Sequence, residues 1–374
     1  MPALAHDHSD QSHQTRVSRY GDVSTALALL SDRRLTQLVD DTKAIGSGIG
    51  GTSMVMDIDG VPVFAKRIPL TDLERRPENV RSTANVFSLP TYCQYGVGGP
   101  GFGAWRELAA NIMTTNWVLA AQTEAFPLMY HWRVLPGSPP VADEHADVDR
   151  TVAYWEGSSA VRERLEATSS ASASIVLFLE YIPLNLHDWL ATQLTAGGEA
   201  FTAACTMVER RLHTDITFMN ANGLLHFDGH FRNILTDGHR LYFADLGLAT
   251  SPRFDLSPDE ADFAAHNLSH DLGYAMMSLV NWLVTRVCEV PTPPTDGPAA
   301  RNDFIRRCAA GEEPAGIPAA LAAIITRYAP VAAVMNDFYW DLFGESRATP
   351  YPTEQVERAL TLVPGLEESL SGNR

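Results

Sequence analysis

The tightest constraint on this chain is the run His226-Phe227-Asp228-Gly229-His230-Phe231-Arg232-Asn233, followed twelve residues after Asn233 by Asp245-Leu246-Gly247-Leu248-Ala249. The apolar stretches around it, Leu224 to Asp228, Ile234 to Leu235 and Leu241 to Asp245, read as short strands joined by tight turns. Two carboxylates and an asparagine therefore fall on adjacent strand-turn segments. Turn formation explains Asp228 or Asn233 singly, but not their joint spacing with Asp245. Mg²⁺ takes oxygen ligands, usually one or two carboxylates plus phosphate oxygens, and a further carboxylate can orient a hydroxyl nucleophile. The pattern points to metal-phosphate chemistry.

The chain before this run is rich in strands and the chain after it in helices. Val23 to Val39 has helical spacing, with Ser31 and Asp32 dividing two short helices. Ile45 leads into Gly46-Ser47-Gly48-Ile49-Gly50-Gly51, then a strand over Thr52 to Asp57, an Asp59-Gly60 turn, and a strand over Val61 to Ile68. Glycines at 46, 48 and 51 let backbone N–H groups approach a polyphosphate closely. Strands follow this loop, so it is not a dinucleotide-binding unit, and it lacks the Lys-Ser/Thr ending of a P-loop. Lys66 lies within the second strand, 15 residues after Gly51, where it must reach solvent or pair with an anion.

Pro69 to Gly103 is irregular and ends in a glycine-dense run from Gly96 to Gly103. A helix is expected over Ala104 to Ala121, a strand over Phe126 to Leu135, an amphipathic helix near Asp149 to Ala167, and a buried strand over Ser174 to Ile182. Helices are expected over Leu184 to Leu194, Phe201 to Asn220, Asp271 to Val287, Pro318 to Phe343 and Thr353 to Leu362. The order implies an α+β chain with a small sheet lobe and a larger helical lobe.

Composition limits the partners. The 374 residues carry 28 Lys and Arg against 45 Asp and Glu, a formal net charge of −17. That balance argues against a nucleic-acid or anionic-membrane footprint, which needs clustered positive charge. Cys93, Cys205, Cys288 and Cys308 lie far apart without CxxC spacing, as expected of reduced, cytoplasmic thiols. Met1 to Gln14 holds His6, Asp7, His8, Asp10 and His13 and no apolar core, so residues 1–17 read as a disordered His-containing tail and not a signal peptide. The longest apolar stretch, Pro318 to Met335, is interrupted by Arg327 and Pro330, and no membrane span is expected.

From about Ile45 to Ser278 the sequence resembles the protein-kinase-like superfamily, with its Gly-rich loop, strand lysine, helix glutamate, H-x-D-x-x-x-x-N and D-x-G. The resemblance implies a bilobal kinase-like fold, with an N-lobe over residues 18–181 and a helical C-lobe over 182–374. It implies that Gly46, Gly48 and Gly51 cover the ATP phosphates and that Lys66 contacts the α- and β-phosphates. Glu107, in Arg106-Glu107-Leu108, would pair with Lys66. The strand ending near Glu180 would run into a hinge whose backbone meets adenine. Asp228 would be the catalytic base or hydroxyl-orienting group, Asn233 and Asp245 would hold Mg²⁺, and Asp271 would brace the catalytic loop from beneath. ATP and Mg²⁺ are thus the implied cofactors.

Several positions depart from the family pattern. Ser53 replaces the Gly-loop valine, Lys66 and Glu107 lie 41 residues apart, and Phe227 replaces the arginine of H-R-D, which argues against control by a phosphorylated activation loop. His230 is similar to the aminoglycoside phosphotransferase and choline-kinase pattern H-x-D-x-H-x-x-N, whereas Asp245-Leu246-Gly247-Leu248-Ala249 resembles the protein-kinase D-F-G-L-A. The stretch from Asp245 to Asp271 is short, with Ser257-Pro258-Asp259-Glu260 as a remnant of A-P-E. The expected reaction is transfer of the ATP γ-phosphate to a hydroxyl of a small molecule or natural product, an antibiotic being one case. The alternatives are a Ser/Thr kinase acting on a protein or peptide, and a nucleotide-binding pseudokinase, against which the presence of Lys66, Asp228, Asn233 and Asp245 argues. Asn336-Asp337-Phe338-Tyr339-Trp340-Asp341 reads either as a cation-binding cluster or as a helix with Phe338, Trp340 and Leu342 partly in the core. His266 and His270 have i, i+4 spacing but no third ligand, so no metal is expected there.

Overall fold

Alternating side-chain burial along the early strands is what organises this molecule, and a computed structural model describes it for residues 12–96, 98–291 and 298–363. Two helices, α1 (His13–Ala28) and α2 (Asp32–Asp41), open the chain, the second capped by Ser31, whose hydroxyl accepts the Arg34 N–H. A five-stranded antiparallel sheet follows: β1 (Ala44–Gly48), β2 (Gly51–Ile58), β3 (Val61–Leu70), β4 (Met129–Pro136) and β5 (Ala173–Glu180), in the spatial order β1-β2-β3-β5-β4. Between β3 and β4 lies α3 (Ala104–Leu119), and between β4 and β5 lie α4 (Val148–Tyr154) and α5 (Ser159–Ser169).

The sheet is covered on both faces. Met54 and Met56 of β2, Val63 and Ala65 of β3, and Val176 and Phe178 of β5 join Val23, Leu27, Leu35 and Val39 of α1 and α2 in one core. Ile68, Leu70, Ile175 and Leu177 pack against Trp105 and Leu108 of α3 on the other. The interior strand β5 is buried along its whole length, which is why it reads as a continuous apolar run.

The rest is mainly helical. A three-stranded sheet, β6 (Leu184–Asn185), β7 (Ile234–Thr236) and β8 (Leu241–Phe243), accompanies α6 (Leu186–Ala196), α7 (Gly198–Ala221), α8 (Pro258–His266), α9 (His270–Arg286), α10 (Ala299–Ala309), α11 (Ala319–Gly344) and α12 (Thr353–Thr361). Among the described residues α11 is the one helix long and apolar enough, by length and composition, to cross a membrane. Half of its most apolar window is buried in the protein, where it packs on α9 and α10.

Four expectations need correction. The tail does not extend to residue 17: α1 begins at His13, because Arg16 is buried and donates to both Glu180 carboxylate oxygens and to the Phe126 carbonyl. A paired, buried guanidinium of this kind holds the helix down. Residues 1–11, with His6, His8 and the two aspartates, lie outside the described residues. The helix expected near residues 149–167 is two helices, broken where Glu156 and Gly157 take positive φ and Ser158 caps the second. Leu224 to Asp228 is not a strand, only a single bridge between Leu225 and Thr250, since the next backbone N–H groups are bound by a side chain described below. Finally, the expected helices omit both α8 and α10.

Candidate active site

The strand-built side contributes a lysine held by two carboxylates. Lys66, on β3 opposite Ser53 and Leu177, is buried, and its Nζ lies 2.7 Å from Glu107 Oε1 and 2.7 Å from Asp245 Oδ1. Glu107 sits in the first turn of α3, near the helix N-terminus that favours a carboxylate. Burial alone would lower the Lys66 pKa, but Asp245 and Glu107 outweigh it and hold the ammonium charged. Burial pushes Glu107 up to about 7 against the pull of Lys66. Burial acts on Asp245 in the same sense, yet Lys66 wins there and its carboxyl lies below the usual range. Asp245 opens into the cleft, with 41% of its side chain exposed.

The helical side contributes the loop from His226 to Asn233. Asp271, buried at the start of α9, accepts the His226 N–H at 2.7 Å and the Phe227 N–H at 2.9 Å, so one side chain takes two backbone donors that a strand would have spent on a neighbour. Phe227 is held at φ +62° and Asp245 at φ +58°, both in the left-handed region, where non-glycine residues need external support. For Phe227 the support is packing on His270, Phe263 and Tyr95. His226 Nε2 lies 3.0 Å from the Ala244 carbonyl, tying this loop to the backbone just before Asp245, and burial keeps its imidazole below the usual pKa.

Asp228 and Asn233 complete the floor. Asn233 Nδ2 donates to Asp228 Oδ2 at 3.0 Å and to the Asp228 carbonyl at 3.1 Å, which fixes the carboxylate and leaves the amide oxygen of Asn233 for another partner. Burial, reinforced by the like charge of Asp245, pushes Asp228 up to about 7. His230 Nε2 stands 3.9 Å from Asp228 Oδ1.

Gly46, Gly48, Gly51, Lys66, Glu107, Asp228, Asn233 and Asp245 line one cleft of about 480 Å³, within the range of small-molecule sites. Protein packing requires the glycine at 51, where φ is +116° and a Cβ would lie 2.2 Å from the Arg67 carbonyl oxygen. It does not require the glycines at 46 or 48, where a Cβ would meet nothing. Glu180 is not in this cleft: its carboxylate is taken by Arg16 and the Leu128 N–H, and its own N–H donates to the Leu128 carbonyl. The expected hinge concerns the backbone near Glu180, and the Glu180 side chain is spent on Arg16 and Leu128. A larger cavity of about 880 Å³ lies elsewhere, against α6 and α7, with a mainly apolar lining and none of these groups.

Sequence reasoning missed how the Pro69 to Gly103 stretch reaches the site. Tyr95 is buried, donates to Asn267 Oδ1 at 2.9 Å and packs edge-on to Phe227. The next residue, Gly96, rests on the carboxylate of Asp228: a Cβ there would lie 2.1 Å from Asp228 Oδ1. Gly98, Gly99 and Gly101 continue along the cleft wall. Gly50 was also missed. A Cβ on it would lie 2.9 Å from Lys66 Nζ. The glycine density of both segments was visible, but nothing in it told which carboxylate or ammonium the backbone would approach.

The same stretch, together with Arg106 of α3, pins the chain after Asp245. Gln94 donates to the Leu248 carbonyl, Thr83 accepts the Asp255 N–H at 2.9 Å, and Arg106 pairs with Glu260 at 2.6 Å. Ser257 and Glu260 form a capping box at the start of α8. The acidic-aromatic cluster on α11 is not part of the cleft: Phe338 and Leu342 are buried, Asp337 pairs with Arg306, and Trp340 is 47% exposed instead of partly buried. His266 and His270 fall on different helices, and His270 is a core residue bonded to the Tyr339 hydroxyl.

A Mg²⁺ ion fits this donor set. Asp245 faces the cleft, the Asn233 amide oxygen is available, and the two neighbouring carboxylates at 228 and 245 raise the cost of negative charge that a cation would relieve. Among the described residues no group of three or more His, Cys, Asp or Glu could hold a metal alone, so phosphate oxygens would have to complete the shell. No protein-family model matches this chain. Nor does any curated protein match it significantly.

Proposed function

We propose that the chain is an ATP-dependent phosphotransferase of bilobal, kinase-like architecture that moves the γ-phosphate of ATP to a hydroxyl of a small molecule. The observation that carries the reading is the convergence of Lys66, Glu107 and Asp245 on one face of a glycine-lined cleft with Asp228 and Asn233 on the other. The fold supports it in part, since a small antiparallel sheet and a larger helical region meet at this cleft.

In this reading Lys66 neutralises phosphate charge and Glu107 holds the ammonium in place. The backbone at Gly46, Gly48 and Gly50 closes over the phosphates. Asn233 and Asp245 would hold Mg²⁺, which when bound supplies charge neutralisation at the phosphate oxygens. Asp228 orients the acceptor hydroxyl and takes its proton as the hydroxyl oxygen bonds to the γ-phosphorus and ADP leaves with the electron pair of the broken P–O bond. A pKa of about 7 suits that task, because the group can both accept and release a proton near neutrality.

Thermal unfolding with ATP, with and without Mg²⁺, tests the reading. At 100 times Kd the ligand adds about 2.7 kcal/mol. At roughly 2–4 °C per kcal/mol this is a shift of several degrees. The shift should require Mg²⁺ and shrink in Asp245→Asn. No shift with any nucleotide would refute the phosphotransferase reading.

A further inference from the structure

Beside the cleft lies a second hollow of about 470 Å³ whose charge runs against that of the whole molecule. Its wall carries Arg232, Arg286, Arg301, His187 and His230, and no carboxylate, although the chain bears 45 Asp and Glu against 28 Lys and Arg. Among the described residues none of the three arginines has a carboxylate within ion-pair distance, whereas the buried arginines Arg16, Arg106 and Arg164 each have one. At the rim, Asp188 stands 3.0 Å from His187 Nδ1 and within the field of Arg232, and Asp228 stands 3.9 Å from His230 Nε2.

Arg301 is the most telling of the three. Its Nε is fully buried without a partner, and its Nη2 reaches only the Asn302 amide oxygen at 3.4 Å. Arg301 as a whole is half-buried, and a buried guanidinium donor left unspent is costly unless an acceptor meets it. His230 joins the hollow to the cleft, since it lines both. Its Nδ1 accepts the Arg232 N–H, which leaves Nε2 for the side facing Asp228. Tyr274, on the far wall, lies within the electrostatic field of Asp228.

We propose that this hollow binds an anionic group, a phosphate or a carboxylate, carried by the acceptor whose hydroxyl lies at Asp228. The assignment of the anion to an acceptor rests on the phosphotransferase reading; the anion site itself does not. Planar guanidinium donors suit either oxyanion, and the site reverses the cationic acceptor that the acidic-aromatic cluster of α11 would have favoured.

The test is calorimetric titration of the full chain with inorganic phosphate and, separately, with succinate, beside Arg301→Gln, Arg232→Gln and Ser278→Glu. Ser278 lines the same hollow, so the last variant adds a repelling charge without removing an arginine. Each variant should weaken anion binding about tenfold or more, the scale of one lost charge-assisted hydrogen bond. Unfolding temperature without ligand checks that each is folded, and the Mg²⁺-dependent ATP shift should persist in all three. The preferred anion of the pair identifies the headgroup. Binding of neither anion, or binding that all three variants leave unchanged, would overturn the proposal. Anion binding that depends on Arg301, with no ATP shift in the parent chain, would instead retain the site and sink the phosphotransferase reading.

Discussion

The two walls of the cleft handle charge in opposite ways. On the strand side Lys66 is shared between two carboxylates at equal distances and is screened from solvent. On the helical side Asp228 is tied by one amide, crowded by the backbone of Gly96 and pushed up to about 7. The first arrangement is compensated and rigid. The second is compensated only in part, by Asn233 and the more distant Lys66. Under the phosphotransferase reading, the first group would grip phosphates and the second would move the proton, each held on its own element.

Replacing the reactive group should give the largest effect and leave the fold alone. Asp228→Ala is expected to lower turnover about 10²–10⁴-fold, the usual scale for a general base. Its unfolding temperature should stay within a few degrees of the parent, because the group lost is one whose charge burial already disfavours. Near-parental turnover would remove Asp228 from its assigned role.

Lys66→Met should do the reverse and strike stability. It deprives buried Glu107 of its counter-charge, and breaking a buried pair by removing one partner costs about 3–5 kcal/mol. Denaturant unfolding would read this directly. If Lys66→Met unfolds no more easily than Asp228→Ala, the contrast between the two walls fails.

These two positions also show what the sequence could disclose. Lys66, Asp228, Asn233 and Asp245 were legible as one group from their residue types and spacing, and they do line one cleft. The strands around Lys66 were legible because burial alternates along them. Arg16 and Glu180 were not, since a partner 164 residues away leaves no local signature and Arg16 falls in a polar stretch that reads as a tail. The Leu224 to Asp228 segment misled because its apolar residues are buried as a strand's would be, while Asp271 takes the hydrogen bonds that would have made it one.

Gly96→Ala sharpens the comparison by disturbing the helical wall without touching its charges. The new methyl would collide with Asp228 Oδ1, so either the loop or the carboxylate must move. A displacement of about 1 Å costs on the order of 10²-fold in turnover. The ATP-induced unfolding shift should be preserved, because Lys66 and Asp245 are not disturbed. Loss of both together would mean that the loop supports the strand wall as well.

The smallest effect is in the pH profile. Asp228 must be ionised to accept a proton, so kcat/KM should rise with pH and level off above about 7, falling about tenfold per unit below it. The linked stability runs the other way. A carboxyl raised in the folded state stabilises the protein most below its unfolded pKa, and this contribution is lost as pH climbs toward about 7. A flat rate profile between pH 5 and 8 would place the proton acceptor elsewhere.

The short stretch after Asp245 has a consequence of its own. Held by Gln94, Thr83 and Arg106 and capped at Ser257, it is tied to the segment before α3 and to α3 itself, so a shift of either would carry the backbone beside Asp245 with it.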